Sequence, residues 1–147
     1  MILIETDFIL ALSSSRDVHH EEAVELLEGL RGSLALSPFT LVEVDLLVHS
    51  GGLKVRSLSE FHGALEGLLG MYGVGVVAPR PRHHALAEKL RGRLAELTYF
   101  DSLHASVALI EEAELLSYDA VYSKIPGLRW LHPRRALEKL GELEKKP

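Results

Sequence analysis

Met1-Ile2-Leu3-Ile4-Glu5-Thr6-Asp7 opens the chain, and the way this stretch is read decides the fold. A short apolar, partly β-branched run bounded by polar residues suits a strand buried on both faces of a parallel sheet. It delivers Glu5, Thr6 and Asp7 at its carboxyl end. Four more short apolar runs follow the same rule: Ser33 to Ser37, Val74 to Val77, Leu115 to Ser117 and Leu128 to Leu131. Between them lie segments of helical periodicity. From His19 to Leu30 the apolar positions Ala23, Val24, Leu26, Leu27 and Leu30 face away from Glu21, Glu22, Glu25 and Glu28, and Gly32 stops the pattern. Ser37-Pro38 reads as a helix start with a serine cap and proline in the first turn. Helices are also predicted over Ser57–Met71, Pro81–Leu94, Phe100–Ala113 and from Pro133 onward.

Strands alternating with helices specify an α/β fold: a three-layer α/β/α sandwich with a mostly parallel central sheet. In such sheets ligands bind beyond the carboxyl ends of the strands, where the strand order reverses. The acidic residues fall at those places. Glu5 and Asp7 follow the first strand, Asp119 lies just past the fourth, and Glu43 and Asp101 sit on helices that can reach in from the sides. Because strand side chains alternate, Glu5 and Asp7 point to the same face, and either or both could reach a metal. Glu43 lies within an apolar stretch, Phe39 to Val42 before it and Val44 after, which argues against a merely solvated position; Asp45 falls on a different, exposed face. Carboxylates gathered in one place repel each other and cost several kcal/mol each if buried dry, on the order expected for an unpaired buried charge. A hard divalent cation is the natural compensation.

Composition narrows the classes. The 147 residues suit one domain spanning 1–147 with a core of its own. There is no cysteine, which removes disulfides, thiolate zinc sites and a cysteine nucleophile together and fits a reducing, cytoplasmic setting. No apolar run approaches the ~20 residues of a membrane span, and the opening residues have no basic start, so neither a membrane anchor nor a signal peptide is expected. A net charge of -5 rules out adhesion to nucleic acid through bulk charge. Any such contact must be local.

Taken together, four segments resemble the PIN-domain nucleases. Ile2-Leu3-Ile4-Glu5-Thr6-Asp7-Phe8-Ile9-Leu10 resembles the family's opening strand, in which an acid, a threonine and a third polar residue precede an apolar stretch. Ser37-Pro38-Phe39-Thr40-Leu41-Val42-Glu43 is similar to the helix bearing the family's internal glutamate. Phe100-Asp101-Ser102-Leu103-His104-Ala105-Ser106-Val107-Ala108 resembles its segment in which an Asp caps a helix of small residues, and Leu115-Leu116-Ser117-Tyr118-Asp119 its last acidic strand end. The resemblance implies a PIN fold and Mg²⁺- or Mn²⁺-dependent RNA cleavage, with Glu5, Asp7, Glu43, Asp101 and Asp119 as catalytic and metal-binding residues. It also implies a toxin of the VapC kind, with an antitoxin partner and a homodimer. Two departures stand out: the family's first acid is usually Asp where Glu5 stands, and a further acid often follows Asp119 by about a turn, where this chain has Tyr122.

Around the acids, Thr6 and Ser117 are hydroxyls suited to holding a ligand water or a neighbouring carboxylate. His104, one helical turn after Asp101, is a proton donor near the acids or a helix-packing residue, the latter being favoured. The histidine neighbours His19-His20 and His83-His84 lack partners at zinc-ligand spacing. Arg80 and Arg82 begin a locally basic segment suited to guiding a phosphate backbone. The Ser57–Met71 helix has more leucine than one buried stripe requires, which marks a partner surface. Two other readings compete: a phosphatase of the HAD type, from the faint Asp-x-Asp likeness of Glu5-Thr6-Asp7, and a PIN-like scaffold that has lost catalysis and binds RNA or protein.

Overall fold

The computed structural model describes residues 1–145. In chain order the elements are β1 (Ile2–Ile4), α1 (Thr6–Ser13), α2 (His20–Gly29), β2 (Leu34–Leu36), α3 (Phe39–His49), α4 (Leu58–Tyr72), β3 (Gly75–Val76), α5 (Pro81–Arg93), α6 (Tyr99–Ile110), β4 (Glu114–Leu116), a 3₁₀ turn (Ala120–Lys124), β5 (Trp130–Leu131) and α7 (Pro133–Glu144). The strands form one sheet in the order β3-β2-β1-β4-β5, every pairing parallel. The sheet is thus wholly rather than mostly parallel, and its order turns back on either side of the central β1.

Strand alternation sorts the side chains onto two faces. Ile4, Leu36, Leu116 and Leu131 pack against Phe8 and Ile9 of α1, Leu26 of α2, Leu65 and Leu69 of α4 and Ala136 of α7. On the other face Leu3, Ala35 and Leu115 pack against Phe39 of α3, Ala87 and Leu90 of α5 and the small-residue face of α6, Leu103, Ala105, Val107 and Ala108. Both faces of every central strand are therefore covered, as a parallel sheet requires.

One expectation fails in an informative way. The strand ends at Ile4, and Thr6 already begins a helix. Thr6-Asp7-Phe8-Ile9-Leu10 is a short apolar run that periodicity alone assigns to neither element. Glu5 is the N-cap of α1, its carboxylate accepting the backbone N–H of Asp7 at 3.2 Å. Glu5 and Asp7 are neighbours because of a cap, not because of strand alternation. Two other caps also differ from expectation. Thr98 caps α6 and accepts from the Asp101 backbone N–H at 3.3 Å, so Asp101 lies inside the first turn. Pro38, not Ser37, is the residue flanking α3, and the Ser37 hydroxyl is occupied elsewhere.

The α4 helix, capped by Ser57 and closed by Gly73 in the left-handed region (φ 66°), buries Leu65 and Leu69. Phe61, Ala64 and Leu68 line an apolar concavity against Ile9 and Leu12 of α1. Among the described residues no helix is long and apolar enough to cross a membrane.

Candidate metal centre

Each acid reaches the carboxyl edge of the sheet by its own route. β1 presents Glu5, the first turn of α1 presents Asp7, α3 brings Glu43, α6 brings Asp101, and the turn after β4 brings Asp119. All five line one cleft of about 170 Å³, with Thr6, Leu10 and Leu47 completing the wall. That volume holds roughly five waters at the ~30 Å³ each occupies in the liquid, room for a small ion with part of its hydration shell.

Glu5 is the deepest member, 4 % exposed. Ser117 Oγ lies 3.3 Å from its Oε1, and the Tyr122 hydroxyl 3.4 Å from its Oε2. Burial raises its pKa well above the usual carboxylate range, and the adjoining Asp7 and the charge of Glu43 push the same way. Asp101 is raised too, mainly by burial and also by the charge of Asp119, while hydrogen bonds from Thr98 and Tyr122 pull it back.

Asp7 shows what the donors cannot do. Its Oδ2 accepts from Ser117 Oγ (2.7 Å) and from the Tyr118 backbone N–H (2.8 Å), while Oδ1 is buried with no hydrogen-bond partner. An orphaned anionic oxygen beside two further carboxylates is what a bound cation would satisfy. The donor set, carboxylate oxygens with hydroxyls behind them, suits a hard divalent ion such as Mg²⁺ or Mn²⁺. The residues present therefore fit the ion.

Glu43 is fixed from behind. Thr6 Oγ1 donates to its Oε1, and His104 Nε2 approaches the same oxygen at 2.8 Å. His104 is fully buried and lies 3.5 Å from Glu5 Oε2, so one imidazole nitrogen faces both glutamates. Its other nitrogen meets the Ser37 hydroxyl at 2.7 Å. This is more than the helix packing favoured for His104 from sequence. Ser37 had no signal pointing to this role, since a Ser-Pro pair reads first as a helix start. Asp119, the one exposed acid of the five, accepts from the Val121 backbone N–H at 2.9 Å, and Ser117 Oγ accepts from the Asp119 backbone N–H at 3.1 Å.

Tyr122 was identified in the sequence only as the place of a missing acid. Its buried hydroxyl stands between Glu5 Oε2 and Asp101 Oδ1, 3.4 and 3.3 Å away. Burial first, then the charges of Glu5 and Asp101, push its pKa strongly upward, so the phenol remains a donor. It carries one proton for two carboxylates. Asp45 is half-exposed and pairs with His62 at 2.7 Å, outside the cleft.

The arginines divide. Arg91 Nη1 donates to Ser102 Oγ at 2.6 Å, and His83 Nε2 meets Glu111 Oε1 at 3.3 Å, so α5 and α6 run antiparallel. Arg91 stands at the Asp101 end of the pair, bonded to Ser102 and paired with Glu88. Arg80 and Arg82 stand at the opposite end of the pair, about 14–16 Å further along the helix at 1.5 Å per residue, and both are exposed.

The family model for the PIN domain matches residues 2–128. The chain belongs to the PIN domain family. Its members are nucleases, and the carboxylate-lined edge is the feature of this PIN domain that such chemistry would use. No curated protein matches the chain in sequence. Among solved structures, VapBC2 from Rickettsia felis, bound to a promoter DNA fragment, is similar with a TM-score of 0.69 at 20% identity, covering 89% of this chain and 98% of the other. VapC20 from Mycobacterium tuberculosis, a sarcin-ricin-loop-cleaving toxin, gives 0.66 at 20% identity over 84% and 93% of the two chains. VapBC-1 from nontypeable Haemophilus influenzae gives 0.66 at 21% identity over 91% and 99%. At these identities the likeness establishes the fold.

Proposed function

We propose that this PIN domain is a divalent-metal-dependent endoribonuclease. The observation that carries the reading is the convergence of Glu5, Asp7, Glu43, Asp101 and Asp119, from four segments, on one cleft with an unsatisfied Asp7 oxygen. Glu5, Asp7, Glu43 and Asp101 would hold Mg²⁺ or Mn²⁺, with Asp119 reaching it directly or through water. The ion supplies activation of an attacking water and neutralisation of charge on the phosphorane-like transition state. The chain's own residues do the positioning. Thr6 and His104 fix the orientation of Glu43, Ser117 fixes Asp7, and Tyr122 holds Glu5 and Asp101 in a common frame. No side-chain nucleophile is required. Glu5 as an N-cap buried behind two hydroxyls is poorly placed to form an acyl phosphate, which weighs against the HAD-type reading.

A toxin role in a toxin–antitoxin pair follows from the same reading, supported by the likeness to VapBC complexes. The apolar concavity between α1 and α4 is a surface that an antitoxin segment would cover, and a homodimer and a cytoplasmic setting are consistent with it. Incubating purified protein with a panel of RNAs and Mn²⁺ tests the central part: wild type should cleave, EDTA should stop it, and Asp101→Asn and Glu43→Gln should each lower the rate about 100-fold or more, the upper end of what disturbing a metal's surroundings costs. RNA uptake that is indifferent to divalent ions, with no cleavage by any form, would instead identify a binding module built on a PIN scaffold.

A further inference from the structure

Behind the carboxylate cleft a line of hydrogen bonds begins at a serine that has no part in the cleft wall. Ser37 follows β2 and precedes Pro38, a position that favours extended backbone. Its N–H donates to the Ile4 carbonyl (2.9 Å), and its own carbonyl accepts from the Thr40 N–H (3.2 Å), so the residue is fixed at both ends. The side chain is fully buried, and its hydroxyl meets His104 Nδ1 at 2.7 Å across 67 residues of sequence. His104 is fully buried as well, with the Phe100 ring 6.5 Å away between centroids. Three oxygens surround its Nε2: Glu43 Oε1 at 2.8 Å, Thr6 Oγ1 at 3.4 Å and Glu5 Oε2 at 3.5 Å. Thr6 donates to Glu43, so all three meet the ring as acceptors.

We propose that Ser37 is a positioning residue of the metal centre: by donating to Nδ1 it fixes the His104 ring so that the Nε2–H is aimed at Glu43 and Glu5. The proposal rests on the metal-dependent reading and adds to it the group that sets the histidine. A neutral imidazole has one N–H and one bare nitrogen, and the bond made on one side decides what the other side offers. Three acceptors at Nε2 require the proton there. Nδ1 is then an acceptor, and the serine hydroxyl is its donor. A ring carrying both protons would stand as a further cation beside a divalent ion, in an interior where like charges are weakly screened. Remove the hydroxyl and Nδ1 is left buried without a partner, at the cost of an unmade hydrogen bond. The ring can satisfy that nitrogen only by turning, which draws the Nε2–H away from Glu43. Outer partners of this kind hold metal ligands in the geometry the ion needs.

Mn²⁺ binding, followed by electron paramagnetic resonance in the absence of RNA, tests the role on wild type, Ser37→Ala, His104→Ala and the double variant. The expected result is about tenfold weaker Mn²⁺ binding for Ser37→Ala, the lower end of what disturbing a residue behind a metal ligand costs. Adding Ser37→Ala to His104→Ala should cost nothing more, because the serine acts through the ring. Nitrogen NMR of the Mg²⁺-loaded wild type, with the His104 signals identified by their loss in His104→Ala, should find the proton on Nε2 and a bare Nδ1. A proton on Nδ1, wild-type affinity in Ser37→Ala, or an additive loss in the double variant overturns the role even if RNA is cut. A wild type that takes up no Mn²⁺ overturns the metal reading, and this role falls with it.

Discussion

Two buried histidines in this protein each face a glutamate, and they live in opposite surroundings. His83, at the far end of the α5–α6 pair, takes a hydrogen bond from the Arg80 backbone N–H on Nδ1 (3.1 Å), which leaves Nε2 as the donor toward Glu111. One donor meets one acid, and the account closes. His104 faces Glu43 and Glu5 together, with Asp7 and Asp101 also lining the cleft, and its other nitrogen rests on a hydroxyl that can give or take a proton. There the acids outnumber the donors. The first site is arranged for stability; the second gathers carboxylates whose mutual repulsion either protonation or a bound cation would relieve.

The sharpest way to break this contrast is to remove one charge from each site. Glu5→Gln should abolish metal-dependent cleavage and yet stabilise the protein in EDTA, by about 1 kcal/mol or roughly 2–4 °C in Tm for a domain of this size. Glu111→Gln should leave cleavage intact and destabilise by at most about 1 kcal/mol, since the amide oxygen still accepts from His83 but without the charge. Thermal melts and initial rates on the same preparations decide it; a loss of stability in Glu5→Gln would show that the cluster is satisfied without an ion.

The pH dependence should carry opposite signs. Glu5 and Asp101 have folded pKa values above the ordinary ones, so the unfolded chain releases their protons first. Their contribution to stability is complete below the ordinary carboxylate range and is lost as the pH rises through the raised values. His83 is lowered by burial, with Glu111 opposing, so its contribution is present above the usual histidine pKa and is lost as the pH falls below it. Saturating Mn²⁺ should remove the carboxylate slope and spare the histidine one, as read from denaturant midpoints across pH.

His104→Ala should lower cleavage about 10–100-fold through the disturbed Glu43, and His104→Asn, which can still donate to it, should recover part of that loss. The smallest effect concerns the arginines. Arg91→Ala, at the Asp101 end of the α5–α6 pair, should weaken RNA binding and reduce its salt slope by about one unit, whereas Arg80→Ala with Arg82→Ala should change the slope little.

Much of this was legible in the sequence. Five apolar runs gave the strands, and the acids at their ends pointed to one edge of the sheet because parallel topology leaves few other places for a ligand. What was hidden depended on contacts between distant segments. Nothing local says that Ser37 will meet His104, or that Tyr122 will stand between Glu5 and Asp101. The helix beginning at Thr6 was masked because β-branched and apolar residues there satisfy either period. Asp101 looked like a cap because it is acidic at a helix start, but Thr98, three residues earlier, took that place and freed the carboxylate to face the cleft.

The central claim is that a divalent ion neutralises this crowd of carboxylates. Crystals soaked in Mn²⁺ and measured where manganese scatters anomalously test it most directly. The account predicts a peak within the cleft, in contact with Asp7 and at least two of Glu5, Glu43 and Asp101; a cleft without a peak, under conditions where the protein cuts RNA, would contradict it.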